Sequence, residues 1–198
     1  MTSEYGGQLT GQQVAAGAST YVIDPAYSSV SLKARNHMAT STHGVFRKFA
    51  GMLSLNTERP DKTALAVYVT TSSIDTGWQE MDAHMCGSAF LDAERYPLMA
   101  FSTSSAEAPG AGLYRLFGSL SVRGVTRRLV VDGEYRGRAP GPQGDERIGF
   151  VGRSVLKRSE WGPLWGQGGD AGRWAVGDEM ELLFEVSAVK RTAPRWWP

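Results

Sequence analysis

A single cysteine, Cys86, stands in the 198 residues. That excludes an intramolecular disulfide and any thiolate-rich zinc site. A surplus of one charge is missing too, since 21 Lys and Arg against 20 Asp and Glu leave a formal net charge of +1. No global field therefore selects a nucleic acid or an acidic membrane surface. No stretch approaches the roughly 18 uninterrupted apolar residues of a transmembrane helix, so no integral membrane segment is expected. The opening MTSEYGGQLTGQQVAAGAST has neither a basic start nor an apolar run long enough for a signal peptide, which favours a soluble, cytoplasmic protein. Residues 1–19 read as a flexible leader, 20–191 as one compact domain and 192–198 as a C-terminal tail.

Catalytic signatures are also lacking. There is no Gly-x-Ser-x-Gly elbow, and Gly166–Gly172 (GQGGDAG) is neither a Walker loop nor a dinucleotide fingerprint, so it reads as a surface loop. His37, His43 and His84 supply three imidazoles, enough for a catalytic zinc, but none follows a recognised ligand spacing. Cys86 and His84 lie two positions apart, and on a helix such side chains point different ways; Cys86 reads as a small hydrophobe. The carboxylates Asp132/Glu134 and Asp178/Glu179/Glu181 sit beside strands and read as solvated faces; nothing in their spacing selects glycosidase chemistry. Basic residues in Arg123–Arg128 and Arg153–Arg158 alternate with apolar ones, as on a solvated sheet surface rather than a nucleic-acid track.

What the chain does have is glycine, 24 residues of it, and short runs with period-two alternation. Val30, Leu32 and Ala34 alternate with Ser31, Lys33 and Arg35; Leu53 and Leu55 do so with Ser54 and Asn56; Leu65, Val67 and Val69 follow on one face. Further strands are expected over Met99–Ser104, Tyr114–Val122, Arg127–Arg136, Arg147–Leu156 and Met180–Lys190. Turn clusters such as Ala108–Gly112 and Ala139–Asp145 bound them. Eight or so strands, with no strand–helix–strand recurrence, predict an all-β, eight-stranded antiparallel barrel. Only Asp75–Asp92 breaks the rhythm: Trp78, Met81 and Met85 recur at helical steps, which predicts a short helical insert capped by Ser73 or Asp75. Composition does not separate a filled barrel from a hollow one.

Several motifs, read in order, resemble the YceI-like family of bacterial lipid-binding proteins. YVIDPAYSSV (Tyr21–Val30) is similar to the family's opening strand, with Tyr27 where His is usual. Asn36-His37, then His43-Gly44-Val45-Phe46 and Phe49-Ala50-Gly51, resemble its "His … Gly-x-Phe-x-x-Phe-x-Gly" stretch, and Ser72–Thr76 its "Ser-Ile-Asp-Thr". Asp82–Met85 and Ser88–Asp92 resemble "Arg-Asp-x-His-Leu-x-Ser-x-Asp-Phe-Phe-Asp", with Met81 for the Arg and Ala89 for an Asp. Tyr96-Pro97 with Phe101–Thr103, the run Gly118–Arg127 (GSLSVRGVTR) and Arg158–Gly162 (RSEWG) complete the likeness.

The resemblance implies a lipocalin-like barrel that holds a long isoprenoid lipid or isoprenoid quinone, with no catalytic residues and no cofactor or metal. It implies carriage or storage, and leaves the biological role open. On that reading Phe46, Phe49, Trp78, Met81, Met85, Phe90 and Phe101 line the cavity, and Asn36, His37 and Arg158 meet a polar head group. The alternatives are a metal-dependent enzyme using His37, His43 and His84, and a filled barrel serving as a protein-interaction module with Trp196 and Trp197 as a docking tail. Exposed barrel faces also allow a homodimer.

Overall fold

The structure, a computed structural model, describes residues 17–36, 41–162 and 176–191. It contains strands β1 (Ser19–Ile23), β2 (Ser29–Asn36), β3 (Ser41–Phe46), β4 (Phe49–Leu55), β5 (Ala64–Thr70), β6 (Ile74–Asp75), β7 (Leu98–Gly110), β8 (Leu113–Val122), β9 (Val125–Pro140), β10 (Glu146–Lys157) and β11 (Val176–Arg191), with one helix, α1 (Gln79–Cys86). The first six strands are halves of three bent ones. β1 and β2 both run along β11, with Ile23 opposite Ala188 and Ser29 opposite Glu185. Between them lies a single 3-10 turn at Pro25–Tyr27, where the Asp24 carboxylate accepts the Ala26 N–H at 3.1 Å. The β3–β4 and β5–β6 pairs bend in the same way, across Arg47–Lys48 and the 3-10 turn Thr71–Ser73.

Counted so, eight antiparallel strands each pair with the next in sequence, and β11 returns to β1, with Tyr21 opposite Lys190. The barrel is closed, as the alternation predicts. Closure leaves each of these strands hydrogen-bonded on both sides over most of its length, which is how a small sheet avoids exposed edges. Period two is visible throughout: along β8 the buried positions are Leu116, Gly118, Leu120 and Val122, and along β4 Gly51, Leu53 and Leu55.

Three of the later strands outrun expectation. β11 begins at Val176, opposite Asn36, rather than at Met180. β7 continues past Ser104 to Gly110 because β8 pairs with it that far, Ala106 opposite Leu116 and Gly110 opposite Leu113, with two register shifts absorbing the extra residues. β9 likewise extends to Pro140 along β10. The helix is shorter than the expected Asp75–Asp92. Gly77, at φ +77°, turns the chain before it, and Gly87 follows its last residue. Neither Ser73 nor Asp75 caps it: Asp75 accepts the Gly77 N–H and pairs with Arg47, while Asp82 reaches back to the Thr76 N–H and hydroxyl at 2.7 and 2.6 Å. Met81 and Met85, one turn apart, face the interior.

The core has two parts. The larger includes the helix residues Met81 and Met85 with Phe90, Leu91 and Trp161; the smaller is built of Tyr21, Leu53, Leu55, Ile148 and Ala188 at the opposite end.

Candidate functional site

Between these two plugs the barrel is hollow. A cavity of about 150 Å³ runs between its walls. Each strand contributes alternate side chains: Val30 and Leu32 from β2, Leu65, Val67 and Val69 from β5, Leu116, Leu120 and Val122 from β8, Leu129 and Val131 from β9, and Met180, Leu182, Phe184 and Val186 from β11. The lining is aliphatic and aromatic almost throughout, as expected of a site that recognises shape and apolar surface rather than hydrogen-bonding groups.

Glycines explain where the space comes from. Gly133 on β9 and Gly152 on β10 are directly paired and both border the cavity. A Cβ at Gly133 would meet nothing nearer than 3.8 Å. Other glycines along the strands behave differently: a Cβ at Gly51 would strike Ile23 at 2.6 Å, and one at Gly118 the Phe101 ring at 2.6 Å. There a neighbour fills the space that a side chain would take. At Gly133 nothing does.

One end is closed by α1 and the segment after it. Leu91 reaches the cavity from this cap, while Met81, Met85 and Phe90 are buried behind it. Arg123, in the β8–β9 turn, straps the cap down by donating to the carbonyls of Phe90 (2.9 Å) and Ser88 (3.1 Å), with the Asp92 carboxylate 3.9 Å away. Arg123 and Asp92 are the two non-glycine residues at positive φ among the described residues, both at 51°. Such backbone costs of order 1–3 kcal/mol and persists where its surroundings enforce it. Two charge-assisted bonds are worth about 1.5–3 kcal/mol each. Arg123→Ala is therefore expected to speed amide exchange across 87–92 by at least about tenfold, leaving the β8–β9 ladder unchanged. Equal exchange in the variant and the parent would show that the strap holds nothing.

The other end is locked by polar ties outside the barrel. The Tyr21 hydroxyl donates to Glu146 at 2.9 Å, and Arg138 and Lys190 flank the same carboxylate at 3.3 Å. Burial, then the adjoining carboxylate, pushes the Tyr21 phenol up; the Tyr21 hydroxyl, with Lys190 and Arg138, holds the Glu146 carboxyl below its usual range. Arg147 joins Asp24 (2.7 Å) to Asp145 (2.9 Å), with the Tyr27 ring 4.9 Å from its guanidinium carbon.

Of the residues expected at the site, Phe46 and Phe101 border the cavity. Met81, Met85 and Phe90 pack in the cap, Phe49 is half-buried against the main core, and Trp78 is half-exposed at the start of α1. Arg158 opens the 3-10 turn after β10, two residues beyond the cavity-lining Leu156, and its buried Nε has no partner among the described residues. The β11 register brings Asn36 to the same end, opposite Val176, near Lys157 opposite Glu179. The Asn36 side chain, His37, Trp196 and Trp197 lie outside the described residues, as do residues 1–16 of the leader and all of the tail. His43 is exposed on β3, and the His84 ring packs 6.2 Å from that of Phe90. Among the described residues no three His, Cys, Asp or Glu side chains gather to hold a metal. Burial pushes the Cys86 thiol up, which disfavours the nucleophilic thiolate. No helix among the described residues is long and apolar enough to cross a membrane.

Sequence reasoning missed most of the wall, from Leu116 to Val186, and the open glycine, Gly133; at its partner Gly152 a Cβ would come within 3.3 Å of the Asp132 carbonyl. The strand alternation marked the wall residues as inward-facing; nothing local marked Gly133 and Gly152 as partners.

Known proteins share this architecture. A UPF0312 protein of Vibrio cholerae is 32% identical over 151 residues, 75% of this chain and 79% of that protein. One from Azotobacter vinelandii is 28% identical over 176 residues, 88% of each chain. Among solved structures, Burkholderia cenocepacia BcnA superposes with a TM-score of 0.74 at 23% identity, over 83% of this chain and 98% of that one. A polyisoprenoid-binding domain from Saccharophagus degradans gives 0.63 at 12% identity, over 86% and 98%. At these identities the structural likenesses speak for the fold. The family assignment rests on sequence: the YceI-like domain model matches residues 21–188, from β1 through most of β11, and the chain belongs to that family.

Proposed function

We propose that the protein binds an isoprenoid lipid, of the polyprenyl or quinone type, inside its barrel and carries or stores it without chemically altering it. The observation that carries this reading is the apolar cavity enclosed by a closed sheet. Burying an apolar chain gains roughly 0.8 kcal/mol per CH₂, so a few isoprene units reach micromolar affinity after the costs of association. Such binding needs no precisely placed polar group, which fits a site without a catalytic constellation. The polyisoprenoid ligand named for the Saccharophagus degradans domain supports the same ligand class here.

The way in is at the α1 end. The cap is held by side-chain straps, chiefly Arg123, whereas the Tyr21 end is knit into the ladders of β1 with β4 and β11. The ligand's polar end then lies near Arg158, whose buried Nε–H has no acceptor among the described residues. Native mass spectrometry of the purified protein, followed by organic extraction, tests the reading. A stoichiometric isoprenoid or quinone is expected. Protein that emerges empty and also refuses added prenols would sink it.

A further inference from the structure

The cavity has a floor. At the Tyr21 end, Leu53, Tyr114 and Phe150 border the empty space, and behind them Tyr21, Leu55 and Ile148 are packed solid. The Phe150 ring is wedged between two others, 5.7 Å from Tyr114 in an edge-on contact and 5.2 Å from Tyr135. Burial raises the Tyr114 phenol, in keeping with a dry setting. Tyr21 is fixed from outside by Glu146, so the plug behind the rings has no slack.

We propose that this floor is a ruler: the tail of the bound chain stops against Phe150 and Tyr114, and these two rings set the longest chain the cavity accepts. The proposal rests on the lipid-carrying function above and adds a direction and a limit to it. The chain enters tail first, because Phe150 and the rings against it present a mainly apolar surface that suits a hydrocarbon tail, while the Arg158 cation stands at the opposite end. Depth follows from the strands. Phe150 and Leu156 both border the cavity on β10. At about 3.3 Å rise per residue and a tilt of about 40°, the span between them is roughly 15 Å along the barrel axis. An extended chain advances about 1.2 Å per bond, so roughly a dozen carbon–carbon bonds fill that depth. Longer chains must fold back or project past the cap.

Two substitutions move the floor in opposite directions. Phe150→Ala removes a ring about the size of one isoprene unit and deepens the cavity. Val186→Phe, opposite Phe150 across β10 and β11, fills the same level from the other wall. The probes are geraniol, farnesol, geranylgeraniol and solanesol, with binding measured by isothermal titration on the full chain and folding checked by circular dichroism. In the parent, affinity is expected to rise at least about tenfold with each isoprene unit up to a limit, then to level or fall. Phe150→Ala should shift that limit one prenol longer, and Val186→Phe one shorter. Because the shifts have opposite signs, general damage to the fold cannot imitate both. If all four prenols bind and the limit is the same in parent and variants, the ruler is wrong while the lipid-binding function stands. If no prenol binds the parent, both fall.

Discussion

Gly133→Leu is expected to abolish or cripple lipid binding while leaving the protein as stable as before or more so. Gly133 borders the cavity, pairs with Tyr114 on one side and Gly152 on the other, and has no atom within 3.8 Å of where its Cβ would be. Its φ does not lie in the left-handed region, so a larger residue introduces no backbone strain. The new side chain occupies the room of about four ligand carbons, and at roughly 0.8 kcal/mol per CH₂ the affinity should drop on the order of a hundredfold or more. Stability moves the other way. Replacing glycine within a strand recovers about 0.5–1 kcal/mol of unfolded-chain entropy, and filling the void adds about 1.5–2 kcal/mol of burial. Prenol titration and a thermal melt on the same sample read both effects. A melting point that falls by several degrees would show that the wall has no room at Gly133.

Trp161→Ala should give the largest loss of stability. Trp161 is 2% exposed, sits in the larger core cluster, and donates its indole N–H to the Leu120 carbonyl at 3.2 Å. Emptying a site of that size costs about 3–5 kcal/mol. For a domain of this length each kcal/mol moves Tm by about 2–4 °C, so the melt should fall by roughly 10 °C or more. Trp161→Phe keeps most of the volume and gives up the N–H, so its cost should be near 1 kcal/mol plus a small void. A loss under about 1 kcal/mol for the alanine variant would mean that the turn Arg158–Trp161 can collapse into the space.

The barrel was legible because alternation survives in nearly every strand, and because each strand pairs with its neighbour in sequence. Leu65, Val67 and Val69 lie on one wall as their spacing implies. The helix was legible in kind but not in extent, since Gly77 and Gly87 bound it and Phe90 falls outside. The hollow itself was not legible. Its clearest cause, Gly133 opposite Gly152, depends on the β9–β10 register, which a register shift between Gly149 and Phe150 displaces by one residue. A glycine in a strand reads the same from sequence whether Phe101 covers it, as at Gly118, or open space does. Helical spacing likewise shows that Met81 and Met85 share a buried face, but not that they stand behind Leu91, which is the residue that borders the cavity.

The return of β11 onto β1 has a topological consequence. Thr20 lies opposite Arg191, and apart from this seam of β11 with the bent β1–β2 strand every ladder of the barrel joins strands that follow one another along the chain. The order of strands is thus a circle on which the seam between β11 and β1 differs from each hairpin only in lacking a covalent link. Joining residue 191 to residue 19 by a short turn and cutting instead at Gly141–Gly144, between β9 and β10, would preserve every pairing in the ring. It would turn the pairing of greatest sequence separation into a local one and make a former hairpin the last to close, so the circle can be entered from a different point without changing the shape it encloses.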